Sequence, residues 1–83
     1  MEDFPEVKLL PADGREVSGD TKFGGKPQFI QSHTRPECCG RPMTLLVQVD
    51  GLDFPEAGLP DSSLAYLYVC RQCFQVFSDL QSM

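Results

Sequence analysis

The residues best suited to chemistry are four cysteines in two separated groups, Cys38-Cys39 and Cys70-Arg71-Gln72-Cys73. Clustered thiolates bind soft and borderline metal ions, and closed structural zinc sites are commonly built from them. In a Cys-x-x-Cys turn both sulfurs point the same way while backbone N–H groups of the turn donate to them, which presents half of a tetrahedron. Cys70 and Cys73 have that spacing. The other half must come from Cys38-Cys39-Gly40, where Pro36 stands in the place of a first cysteine. Adjacent cysteines in extended backbone point to opposite sides, so both reach one ion only if the chain turns sharply between them, a freedom Gly40 supplies. His33, the single histidine, could give a ring nitrogen as fourth ligand if Cys38 faced away, but thiolate softness favours Cys38. The expected centre is one Zn2+ on Cys38, Cys39, Cys70 and Cys73, with Arg35, Arg41 and Arg71 offsetting its negative charge.

Other uses of four thiols are open at this point: free buried thiols, two disulfides, a redox-active Cys70/Cys73 pair, or an iron centre with four thiolates. A thioredoxin-like pair needs a βαβ context and a helix starting near the second cysteine, whereas Phe74-Gln75-Val76-Phe77 has the composition of a strand. A thiol-based redox or metal-handling protein using Cys70 and Cys73 is therefore the alternative function, behind a non-catalytic zinc module. No cysteine has an orienting third group or an oxyanion feature beside it, so no enzyme is expected.

Mainly antiparallel β structure must position these groups. Residues 43–50 alternate, placing Leu45, Val47 and Val49 on one face and Thr44, Gln48 and Asp50 on the other. Residues 51–63 hold Pro55, Gly58, Pro60 and two serines and read as a loop returning the chain to the same sheet. Residues 64–69 and 74–77 are aromatic and β-branched, forming a hairpin whose turn is the Cys-x-x-Cys. Before them, proline and glycine leave room only for short strands at 6–10 and 28–31, and residues 1–21 are expected to be more loosely ordered.

At 83 residues the chain forms at most one small domain, with too little core to stand without a staple. Hydrophobic residues make up 41%, which excludes a disordered tail. Twelve acidic against seven basic residues give a net charge of -5, the wrong sign for a polyanion or an anionic bilayer. Tyr66, Tyr68, Phe74 and Phe77 are accordingly read as sheet packing with any exposed remainder facing a protein partner, not nucleic acid. The acidic start lacks a signal peptide's pattern and no segment could span a bilayer, so a cytoplasmic protein is expected, a compartment where clustered thiols favour metal over disulfides. Phe23-Gly24-Gly25-Lys26-Pro27 superficially matches a phosphate loop, but Pro27 replaces the required hydroxyl residue and a turn is expected. Asp53, Glu56 and Asp61 are expected to be solvated loop charges.

Three pieces in order carry a resemblance: Phe23-Gly24-Gly25-Lys26-Pro27 leading to Gln31, then Cys39-Gly40-Arg41-Pro42-Met43 leading to Gln48-Val49-Asp50, then Ala65 to Cys70-Arg71-Gln72-Cys73. Across residues 22–77 the chain resembles the YwqG-like proteins of unknown function, and more distantly the programmed-cell-death-protein-two family. The resemblance implies a β-rich interaction or structural module with no catalytic residues to carry over. The chain departs from the pattern at Pro36 and Cys38.

Overall fold

The computed structural model describes residues 3–29, 35–60 and 63–82. Among them are seven strands, every pairing antiparallel, and no α-helix: β1 (Val7–Lys8), β2 (Lys22–Phe23), β3 (Glu37–Cys38), β4 (Arg41–Pro42), β5 (Thr44–Asp50), β6 (Ser63–Val69) and β7 (Val76–Ser82). The mainly β expectation holds. Five strands form one sheet in the order β1-β2-β5-β6-β7, and β3-β4 is a separate two-stranded sheet inserted between β2 and β5.

The long strands form where the β-branched and aromatic runs predict them, but their ends and faces differ from the sequence reading. Of the strand expected at 6–10 only Val7–Lys8 pairs. Gln28 and Phe29 are not in a strand, and the rest of 28–31 lies outside the described residues. The strand expected over 74–77 begins at Val76 and runs on to Ser82, because Phe74 has φ 63° and Gln75 closes the turn.

The larger correction lies in β5. Leu45 stands opposite Tyr68 but Val47 stands opposite Leu67, so Leu46 is an extra residue, and a one-residue bulge moves every later side chain to the other face. Leu45, Gln48 and Asp50 therefore share the covered face, with Gln48 fully buried, while Val47 and Val49 are half-exposed behind them. On β6 the alternation is simple: Leu64, Tyr66 and Tyr68 are buried, and the same stripe continues into Cys70. These residues, with Met43 and Leu45, are the core, against which Phe29 and Cys38 pack.

Polar residues are covered because the irregular N-terminal third crosses them and needs its backbone groups satisfied. The Gln48 side chain accepts from the Gln28 N–H at 2.9 Å and donates to the Asp20 carbonyl at 2.8 Å. Asp53 is buried rather than solvated, accepting from the Ser18 N–H at 2.7 Å and the Thr21 hydroxyl at 2.8 Å. Glu56 is exposed, as expected, and pairs with Arg15 at 2.8 Å; Asp61 lies outside the described residues. The Gly-Gly turn is a turn, not a phosphate cradle: Gly24 has φ 73° and a Cβ there would strike the Pro5 carbonyl. Its N–H donates to the Leu46 carbonyl at the bulge, 3.0 Å away, so the bulge and the turn fit each other.

Gln48→Leu keeps the volume but leaves the Gln28 N–H and the Asp20 carbonyl without partners. It should cost about 2–3 kcal/mol and lower Tm by about 10–20 °C, as measured by thermal unfolding followed by circular dichroism. An unchanged Tm would mean the crossing segment is not held by this side chain.

Candidate metal centre

The two cysteine groups sit on two hairpin turns that face each other. In the first, Cys38 pairs with Arg41, so Cys39 and Gly40 form a two-residue turn. Both have positive φ, 55° and 75°, which is the requirement of the tight hairpin turn whose twist suits its strands. Gly40 adopts that conformation freely, and Cys39 adopts it against its side chain. This is the sharp bend that adjacent cysteines need in order to face one point. The hairpin continues through a bond from the Met43 N–H to the Pro36 carbonyl at 2.8 Å, so Pro36 serves as an acceptor and Met43 carries the turn into the core.

In the second turn the Cys70 N–H donates to the Gln75 carbonyl at 2.8 Å and the Phe74 N–H to the Cys70 carbonyl at 2.9 Å. These bonds fold Cys73 back over Cys70, and Phe74 takes the left-handed backbone that lets β7 start. Cys70 is buried, Cys38 half-buried, and Cys39 and Cys73 exposed.

The structure brings all four sulfurs within 4.8 Å of one another. Cys38 Sγ lies 3.9 Å from Cys39 Sγ and 3.6 Å from Cys73 Sγ. Four thiolates at about 2.3 Å from one ion in a tetrahedron stand about 3.8 Å apart, so this set could hold a metal ion with little movement. His33 lies outside the described residues.

The thiols are not equivalent. Backbone N–H groups of Cys73 and then Gln72 donate to the Cys70 sulfur and bring its pKa down to about 6. Hydrogen bonding to Cys73 and Cys70, with burial, pushes Cys38 up to about 12, and Cys39 is raised chiefly by Cys73. Sulfurs this close share their remaining protons, which a bound cation would have to replace.

Of the three arginines expected to offset the charge of the centre, Arg41 and Arg71 line a crevice with Cys38, Thr44, Cys70 and Gln72. Arg71 also lies over the Phe4 ring at 4.4 Å, and Phe4 stacks on Phe23 at 5.3 Å, which ties the second turn to the main sheet. Arg35 is used elsewhere, pairing with Asp3 at 2.7 Å and with the Met43 carbonyl at 3.4 Å. No signal in the sequence singled out Phe4 or the left-handed Phe74. No family model matches the chain, and no curated protein or solved structure does.

Binding an ion at neutral pH must displace protons from Cys38 and Cys39, whose pKa values lie above it, whereas Cys70 is already ionised above about pH 6. Affinity should therefore fall as pH falls, by at least roughly a hundredfold per unit for the protons displaced from Cys38 and Cys39. Competition with a chromophoric chelator between pH 8 and about 6 measures it; a pH-independent affinity would exclude ligation by these two thiols.

Proposed function

We propose that the chain is a small non-catalytic zinc protein in which Cys38, Cys39, Cys70 and Cys73 hold one structural Zn2+ and the rest of the surface serves protein interaction. The observation that carries this reading is the convergence of four sulfurs from two separate hairpin turns at tetrahedral spacing. Zinc suits such a set because it has no geometric demand beyond the tetrahedron and imposes no redox chemistry. Four thiolates close the coordination sphere, leaving no position for a substrate or an activated water, which supports a structural rather than catalytic ion.

The redox alternative is less well supported. A reactive thiol must be both acidic and accessible, yet here the acidic thiol, Cys70, is the buried one, while exposed Cys73 lies beside it. No α-helix follows Cys73 among the described residues. The hairpin aromatics divide in a way that supports an interaction role: Tyr66 and Tyr68 are buried, but Phe74 is 70% exposed at the tip of the turn. Glycine would satisfy its left-handed backbone at lower cost, so a phenylalanine held there in water points to recognition by a partner protein. The motif order that resembles YwqG-like proteins supports the same kind of module. With a net charge of -5, nucleic acid is not the expected partner.

Elemental analysis of protein purified without chelator should find one zinc per chain, and iron absorbance or under half an equivalent of zinc would contradict it. Cys38→Ser should weaken zinc binding roughly a hundredfold, as one of four ligands sharing on the order of 10 kcal/mol, and His33→Ala should barely change it. The opposite ranking would transfer the fourth position to His33.

A further inference from the structure

The two edges of the main sheet are built differently. β1 is two residues long, carries Lys8, and is flanked by Pro5 and Pro11, features that discourage another strand from adding to it. β7 is seven residues long, has no proline, no lysine and no bulge in its pairing with β6, and contains a single charge, Asp79. It is the terminal strand of the sheet, and among the described residues no strand pairs with Val76, Ser78 or Leu80 on its outer side.

Which groups point outward can be read from the ladder. The Cys70 N–H to Gln75 carbonyl bond makes that pair hydrogen-bonded, so alternate pairs Tyr68 with Phe77 and Tyr66 with Asp79 are the bonded ones in β6-β7. Val76, Ser78 and Leu80 then direct their backbone groups away from β6. The Leu80 N–H agrees, being turned to the Asp79 carboxylate at 2.9 Å. The side chains of Val76 and Leu80, 54% and 45% exposed, lie on the open face of the sheet beside half-exposed Val69 and Ala65.

We infer that a second copy of this chain occupies this edge, with β7 pairing antiparallel to β7 across a two-fold axis at Ser78. A two-fold pair keeps side chains on their own faces only when a residue meets its own copy at the axis. An axis at Asp79 would set two carboxylates directly opposite in a non-bonded pair, where side chains come closest. An axis at Ser78 sets Val76 opposite Leu80 of the second copy on both sides, and Asp79 opposite Phe77, so the one charge of the strand never meets itself. Ser78 then exchanges both backbone bonds with its copy and Val76 does so with Leu80, using the groups that face outward. The Leu80 N–H passes from Asp79 to a carbonyl of the second copy. The result is one sheet running through both copies, its apolar open face continuous across the axis. This inference goes beyond the metal reading and rests on β7 alone, so it stands whichever ion the cysteines hold.

Sedimentation equilibrium of the metal-loaded full chain, up to about 100 µM, should show a mass rising towards twice the 9.2 kDa of one chain. Ser78→Pro removes an outward N–H and no bond to β6, and Leu80→Lys opposes Val76 with a charge. Each should give a monomer that keeps its metal. Amide hydrogen exchange of the unaltered protein decides without a variant: Val76 and Ser78 N–H groups should become protected as concentration rises, while Val7 and Lys8 do not. A monomer throughout the range, or a dimer that persists in Ser78→Pro or leaves Val76 and Ser78 unprotected, overturns the inference.

Discussion

The meeting of four sulfurs is the point on which the structure depends, because it joins two sheets that share no hydrogen-bonded ladder. The β3-β4 hairpin is too short to stand alone, and a two-stranded hairpin is marginal in water even when longer. It reaches the main sheet through Met43, through Cys38 packed on the core, and through the cysteines that face Cys70 and Cys73. Without a cation, four thiols at this spacing can satisfy one another only by sharing protons, which is why Cys38 and Cys39 resist ionisation. A divalent ion held there, as proposed, would relieve that arrangement and link residues about thirty positions apart in the chain, closing a long loop where entropy makes a cross-link most effective.

The main sheet supports the centre from one side. The buried stripe of β6, Leu64, Tyr66, Tyr68 and then Cys70, delivers a sulfur to the end of the core by alternation alone. The bulge at Leu46 turns Gln48 and Asp50 inward, where they hold the crossing N-terminal segment through its own backbone. That segment in turn brings Phe4 beneath Arg71, beside the second cysteine turn. The polar interior is thus the means by which an irregular third of the chain is fixed around a small core.

Much of this is legible in the sequence because it is local. The Cys-x-x-Cys turn, the strands on either side of the proline-rich loop, and the glycine that lets adjacent cysteines bend towards one point all follow from composition and spacing. The faces of β5 do not. Leu45, Val47 and Val49 alternate without fault, and only the pairing with β6, a contact between distant residues, shows that Leu46 is extra. Asp53 looks like a solvated loop acid because its partners, Ser18 and Thr21, lie more than thirty residues earlier. The beginning of β7 was obscured for the opposite reason: Phe74 favours strands by type, but the turn that folds Cys73 over Cys70 claims its backbone.

Amide dispersion in a two-dimensional NMR spectrum of the zinc-loaded protein, recorded before and after addition of a tight chelator, reads whether the proposed ion joins the two sheets. A core of this size supplies only a few kcal/mol against the roughly 10 kcal/mol of a structural zinc, so dispersion should collapse in a single cooperative step and return with one equivalent of zinc. A chelated protein that keeps native dispersion, with residues 36–43 still protected from exchange, would contradict the claim that the metal joins the two sheets.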